Sequence, residues 1–307
     1  MGFLSGLVNY VALPWFLIVV SLYGLAFALP PKYAKLPATF ARVLAYLAGL
    51  AICATFGVTA SLVLKPFGYG GLGQYLTAVS FKWLMLPFIQ VWMDVDDPHG
   101  SLKTRPAVIL GNHQTELDIL LLGHIFPPFT SVTAKADLKW YPFLGQFMWA
   151  SNTVFIDRAN HTSALATFAS AASHMTRDRQ NVFLFPEGTR SYYDHPDLLP
   201  FKKGGFHLAI QAQVPIVPVV CANYTHVLNL KQLKFVGGRI PVRVLKAVET
   251  KGLTAKDVPE LVERVRNDML EALKELDAEV KSKYGRVGNG TAPGLRELSE
   301  KAGLVAS

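Results

Sequence analysis

Two long stretches without a charged side chain open this sequence, and they restrict its fold more than any other feature. No Asp, Glu, Lys or Arg occurs from Met1 to Pro31 or from Val43 to Leu64. Each run reaches the ~20 apolar residues a helix needs to cross a hydrocarbon layer. The chain must place its front end in lipid or bury it entirely, and two such runs in tandem argue for lipid. A third apolar run, QYLTAVSFKWLMLPFIQVWM (74–93), holds Lys82, Pro87 and two tryptophans. That mixture suits a helix lying in or dipping into the membrane interface as well as a full span. A cleaved signal peptide is not expected, because the front end lacks a basic region and the first run is too long. MGFLSG has Gly6 where a myristoylation signal needs Ser or Thr.

Hydrophobic residues make up 51% of the 307 positions and charged ones 17%, with a net charge of +8. On a membrane-attached chain this charge favours anionic lipid surfaces and anionic substrates. Nucleic acid is not an expected partner, since no dense Lys/Arg tract occurs and the apolar front would be unexplained. The two cysteines, Cys53 and Cys221, form neither a disulfide framework nor a Cys-based metal site.

The composition divides the chain into membrane-anchoring helices (1–95), an α/β domain (96–284) and a flexible tail (285–307). Lys32, Lys35 and Arg42, in a loop between the first two runs, favour the cytoplasmic side. Three spans would put the α/β domain there as well, and two would put it on the opposite side. Within the domain, apolar runs of strand length alternate with helical patterns. AVILGNH (107–113), TSVTAK (130–135), NTVFIDR (152–158), NVFLFPEGTR (181–190) and VPIVPVVCANY (214–224) contain the strands. TELDILLLGHIF (115–126), roughly 162–177, GGFHLAIQAQ (204–213) and an amphipathic stretch near 257–284 read as helices. This alternation implies a mostly parallel or mixed central sheet flanked by helices, preceded by the membrane helices. In such sheets ligands bind at the carboxyl ends of the strands.

Three polar clusters follow strand patterns: Asn112-His113, Asp157-Arg158, and Glu187 to Arg190. In NHQTELD (112–118), His113 and Asp118 are five residues apart, roughly 140° around a continuous helix axis, so they could not touch in mid-helix. Thr115 and Asp118 fit a capping signature that starts the helix at Thr115. His113 then lies in the preceding turn, and a first-turn Asp118 can reach its imidazole and fix the tautomer. The plain alternative is a capped helix with an idle turn histidine. A metal pair lacks a third ligand at suitable spacing, and no serine nucleophile elbow occurs. In FPEGTRS (185–191), Gly188 permits close backbone approach, Thr189 offers a hydroxyl, and Arg190 can grip two phosphate oxygens, with Glu187 to position it. Arg158, Lys203 and Lys135 add cations near strand ends. Together these point to a phosphate-bearing ligand.

Taken in order, NHQTELD, FIDR, FPEGTRS and VPIVPV resemble the four motif blocks of the lysophosphatidic acid acyltransferases, the 1-acylglycerol-3-phosphate O-acyltransferases. AKADLKWYPFLG (134–145) also resembles the family's segment between its first two blocks. The resemblance spans about 107–222. It implies that acyl-CoA, a co-substrate rather than a cofactor, donates its acyl group to the sn-2 hydroxyl of lysophosphatidic acid at the bilayer. His113 would be the general base, with Asp118 orienting it and no metal involved. Glu187, Gly188, Thr189 and Arg190 would hold the glycerol phosphate, assisted by Arg158 and Lys203. Lys135 would face the thioester oxygen or the CoA phosphates, and Val214–Val220 would line the acyl site or form a plain core strand. The resemblance also implies an integral membrane protein, of the endoplasmic reticulum in a eukaryotic cell, with its catalytic domain in the cytoplasm. The same motifs occur in glycerol-3-phosphate and other lysophospholipid acyltransferases. A membrane lipid hydrolase would share the basic turns, and a non-catalytic lipid-binding protein would leave His113 and Asp118 idle.

Overall fold

The structure, a computed structural model, describes residues 5–6, 8–141, 144–151, 153–156, 171–173 and 175–284. Arg158 and the tail from Gly285 lie outside the described residues. Two of the described helical runs, Val8–Ala28 and Pro31–Phe67, are long and apolar enough to cross a membrane. The first contains α1 (Leu13–Ala28) and the second α2 (Pro31–Leu64). Only Leu29 and Pro30 separate them, so Lys32, Lys35 and Arg42 lie within α2 rather than in a loop. Pro31 begins α2, where a missing N–H costs nothing.

Only Val19 of α1 is buried. The helix is fastened to its neighbours by the Trp15 indole, which donates to the Leu44 carbonyl (3.2 Å), and by the Tyr23 hydroxyl, which donates to the Phe88 carbonyl (2.6 Å). The buried residues of α2 include Tyr46, Gly49, Cys53, Gly57 and Ser61, spaced three or four apart on one stripe. Small residues at that spacing let helix backbones approach closely in lipid. The stripe meets α3 (Gly73–Ile89), with the Tyr46 ring edge-on to Phe81 at 5.1 Å. At 17 residues, α3 is about 25 Å long, short of a ~30 Å hydrocarbon core.

The sheet begins at β1 (Val91–Asp96), so the compositional boundary at 95 falls inside a strand. VWMDVD reads as the end of an apolar run because only its last residues are acidic. The other strands of the main sheet are β2 (Val108–Gly111), β3 (Thr130–Lys135), β4 (Val154–Ile156), β5 (Asn181–Leu184), β6 (Ile216–Cys221) and β9 (Gly238–Val244). Their order is β1-β9-β6-β2-β5-β3-β4, and the short pair β7 (Leu228–Asn229) and β8 (Lys234–Phe235) stands apart. β6, β2, β5, β3 and β4 are mutually parallel, whereas β9 runs antiparallel to β6 and carries β1 parallel to itself. The sheet is therefore mixed. The sequence pattern does not mark β9 as a strand, because Pro241 at its centre and alternating arginines disguise it.

Successive strand side chains point to opposite faces, and both faces are buried. Val108, Leu110, Val182 and Leu184 pack with α6 (Gly204–Ala212) and α7 (Val258–Tyr284), which contribute Phe206, Val265 and Met269. Ile109, Phe183, Val217 and Val219 pack on the other side with Phe81, Met85 and residues of α4 (Asp118–Ile125). β6 is buried throughout, which makes the VPIVPV stretch a core strand. The short helix α5 (Leu144–Ala150) lies against α2.

Helix α4 carries Asp118 and rests on α3 at Gly123, where a Cβ would collide with the Ala78 carbonyl. One residue on, His124 donates from Nδ1 to the Leu120 carbonyl (3.0 Å), while its Nε2 faces the Met93 N–H (3.5 Å). Its ring stands edge-on to Trp92, and burial lowers its pKa to about 4. The unfolded chain takes up this proton near pH 6.5 and the folded chain only near 4. Stability from this group is therefore full above about 6.5 and declines as pH falls towards 4, by up to ~3 kcal/mol. Thermal unfolding in detergent at pH 7.5, 6 and 5 should show this slope, flattened in His124→Gln. An equal slope in both proteins would exclude His124 as its source.

Candidate active site

The parallel strands β2, β3, β4, β5 and β6 bring their carboxyl ends to one edge of the sheet. There β2 leads into residues 112–117. The Asn112 amide brackets Cys221 at the end of β6, donating to its carbonyl (2.9 Å) and accepting from its N–H (2.8 Å). Gln114 donates to the carbonyls of Cys221 (3.0 Å) and Ala222 (2.9 Å). His113, between these two anchors, is held with its ring stacked on Phe185 at 3.9 Å.

Helix α4 starts at Asp118 rather than at Thr115. Half of the expected capping box is formed. Asp118 Oδ2 accepts the Thr115 N–H (3.1 Å), while the Thr115 hydroxyl accepts from the Leu117 N–H (3.2 Å) instead of capping the helix. At the first helical position, Asp118 still turns back to His113. Oδ2 also accepts from His113 Nδ1 (2.8 Å) and the Gln114 N–H (2.6 Å), and Oδ1 accepts from the Tyr224 hydroxyl (2.7 Å). The carboxylate is 1% exposed. Two of the groups on Oδ2 are backbone N–H groups, which can only donate, and this suits an ionised acid. The imidazole therefore carries its proton on Nδ1, leaving Nε2 as the acceptor.

The loop after β5 lies beside this turn. Ser191 N–H donates to the His113 carbonyl (2.9 Å) and Tyr192 N–H to the Gln114 carbonyl (3.2 Å). Glu187 points inward and is 2% exposed. One carboxylate oxygen accepts from the His113 N–H (2.7 Å) and the other from the Leu199 N–H (2.9 Å). Burial raises its pKa, and those two N–H groups oppose the rise. Both oxygens are committed to backbone, so Glu187 braces His113 where the resemblance implies a phosphate ligand. Gly188 turns the chain outward with φ 74°, a conformation that suits glycine. Thr189 and Arg190 beyond it are exposed. The Arg190 guanidinium meets Glu116 Oε1 at 3.2 Å, and the Tyr192 hydroxyl donates to the same oxygen (2.7 Å).

The remaining cations reach this edge less directly. Lys135 is the last residue of β3, in register with Ile156 of β4. Lys203 is exposed just before α6, and the Lys202 N–H donates to the Pro186 carbonyl (2.7 Å), which brings that turn beside the Glu187 loop. Helix α2 also touches the site, for its Tyr46 hydroxyl donates to the Glu116 carbonyl (2.8 Å).

Asn112 stood in the first of the polar clusters, but Gln114, Phe185, Tyr46 and Tyr224 were not expected as parts of this site. Gln114 stands inside NHQTELD and Phe185 opens FPEGTRS, so adjacency was the available signal. Tyr224 lies 106 residues from Asp118, and no spacing rule connects them.

Residues 93–222, from within β1 to just past β6, match the family model described as Acyltransferase. An acyltransferase is thus the class of protein that this sheet and its polar edge define. An uncharacterized acyltransferase of Schizosaccharomyces pombe is 42% identical over 238 residues, covering 78% of this chain and 84% of its own. The 1-acyl-sn-glycerol-3-phosphate acyltransferase of Saccharomyces cerevisiae is 40% identical over 227 residues, 74% of this chain and 75% of its own. The chain belongs to the 1-acyl-sn-glycerol-3-phosphate acyltransferase family. Its fold matches the crystal structure of the 1-acyl-sn-glycerophosphate acyltransferase PlsC from Thermotoga maritima, with TM-score 0.62 and 21% identity, over 81% of this chain and 98% of the other.

The two roles of the 185–192 loop can be separated. Glu187→Gln keeps the shape but presents an N–H₂ to a backbone N–H, leaving a buried donor unsatisfied at a cost of about 1–3 kcal/mol. Chemical denaturation in detergent should show that loss, with the acceptor KM little changed. A raised KM at full stability would instead return Glu187 to the ligand.

Proposed function

We propose that this protein transfers an acyl group from acyl-CoA to the sn-2 hydroxyl of lysophosphatidic acid, forming phosphatidic acid, with His113 as general base. The observation that carries this reading is the His113–Asp118 pair, 2.8 Å apart on a buried carboxylate and laced to the turn that exposes Arg190. His113 Nε2 takes the proton of the acceptor hydroxyl as its oxygen attacks the thioester carbonyl. The tetrahedral intermediate collapses, the C–S bond breaks, and the imidazolium returns the proton to the CoA sulfur. Asp118 stabilises the imidazolium between the two transfers. A thioester is already activated, so neither a covalent enzyme intermediate nor a cofactor is needed.

Arg190, with Thr189 beside it, binds the phosphate of the acceptor, replacing its contact with Glu116 by a doubly charged ligand. Lys203 and Arg158 assist there, and Lys135 stabilises the developing oxyanion or holds the CoA phosphates. The acceptor named for the yeast relative supports lysophosphatidic acid over other lysophospholipids. The apolar helices let both lipid chains reach the site from the bilayer. The protein resides in the endoplasmic reticulum with this site on the cytoplasmic face. Of the three glycosylation sequons, Asn223 is buried and donates to the Tyr193 carbonyl (2.9 Å). Glycan at Asn160 or Asn289 in a eukaryotic host would contradict the cytoplasmic assignment.

The test is CoA release by detergent-purified protein given an acyl-CoA with lysophosphatidic acid, glycerol 3-phosphate or lysophosphatidylcholine, with products identified by mass. Lysophosphatidic acid alone should yield acylated product, and His113→Ala should lose at least ~100-fold in turnover. Release without an acceptor would mark a hydrolase, and no release from folded protein would leave a lipid-binding role. Arg190→Ala should raise the acceptor KM ~10-fold, the scale of a charge-assisted contact. An unchanged KM would remove Arg190 from the phosphate.

A further inference from the structure

Tyr224 stands three residues past β6, 1% exposed, two residues beyond the part of the chain that matches the acyltransferase family model. Its hydroxyl makes three contacts whose proton directions can be assigned. Thr115 N–H can only donate, so the phenol oxygen accepts from it (3.0 Å). Asp118 Oδ1 accepts the phenol proton (2.7 Å). The Thr115 hydroxyl, 2.9 Å away, must then donate to the phenol oxygen, which agrees with its accepting from the Leu117 N–H. The result is a directed chain from Thr115 through Tyr224 to Asp118, where it meets the proton that His113 Nδ1 donates from the other side.

We propose that Tyr224 is a positioning residue for the base. By occupying Oδ1, it keeps Oδ2 turned to the His113 imidazole and moderates the charge that the imidazole meets. The inference rests on the reading of His113 as general base. Burial, with the nearby Asp118 charge, pushes the phenol well above its usual pKa, so it remains a donor over the working range. No other side-chain group bonds to Oδ1 among the described residues, and neighbouring Cys221 is committed through its backbone to Asn112. The ionisable groups around His113 and its partner are Asp118 on α4, Glu187 on the loop after β5, Tyr224 and Cys221 near the end of β6, Tyr46 of α2, and the Arg190–Glu116 pair at the rim.

Tyr224→Phe removes one oxygen and keeps the ring in the core. Without the phenol proton, Oδ1 has no donor and the carboxylate holds more charge for the imidazolium. Turnover should fall about ten-fold, the worth of a hydrogen bond to a charged group, with the acceptor KM unchanged. The acid limb of the kcat/KM profile should move to higher pH, because the imidazolium of the free enzyme is better stabilised. A merely structural role would lower stability without moving that limb. Thr115→Val, which deletes the hydroxyl donor to the phenol together with the acceptor of the Leu117 N–H but keeps the phenol itself, should shift the limb the same way by less, and it keeps the test open if Tyr224→Phe folds poorly. Both profiles superimposing on the native one, while His113→Ala is inactive, would overturn the role of Tyr224 and leave the general base standing. Activity retained in His113→Ala would overturn the general base itself.

Discussion

A carboxylate in the protein interior is the constraint on which the rest of this site depends. Removing an ion from water costs several kcal/mol unless hydrogen bonds replace its hydration. Asp118 meets that cost with four donors from three sources: an imidazole, two amides of the turn before α4, and a phenol from beyond β6. None can move alone without leaving the charge short of a partner. The turn at 112–115 is therefore held by the same interactions that set the tautomer of His113. The Asn112 and Gln114 amides tie the end of β2 to the end of β6, so the register of two strands fixes where Tyr224 arrives.

The loop after β5 divides its charges by direction. Gly188 reverses the chain between them, so Glu187 enters the core and Arg190 reaches solvent, three residues apart. The inward acid spends both oxygens on backbone amides and holds the main chain of His113. The outward base keeps an exchangeable contact with Glu116. An exposed pair of this kind is worth little on its own, so it suits the ligand exchange proposed for Arg190.

Much of this was legible in the residues, and what was not has identifiable causes. The buried parallel strands read as short apolar runs because both of their faces are covered. The meeting of His113 with Asp118 was legible because first-turn geometry allows it whether the helix begins at Thr115 or at Asp118. The inward turn of Glu187 was not legible because a motif names residues without saying which way they face, and only the path of the turn past Gly188 decides that. β9 was hidden by Pro241, and Tyr224 by its separation of 106 positions from Asp118. Contacts assembled by tertiary structure leave no period in the sequence.

The hydrogen bond from Tyr46 to the Glu116 carbonyl joins α2, part of a helical run long and apolar enough to cross a membrane, to the turn that carries the His–Asp pair. Met85 and Phe81 of α3 lie in the same core as Ile109 and Phe183 of the sheet. Anchor and catalyst are thus one cooperative unit rather than a tether with a cargo. A fragment starting at Val91 would shed its greasiest residues, yet it would also uncover that core and leave the Glu116 carbonyl without its donor. Trimming the apolar helices would therefore also strip support from the turn that holds His113 and Asp118.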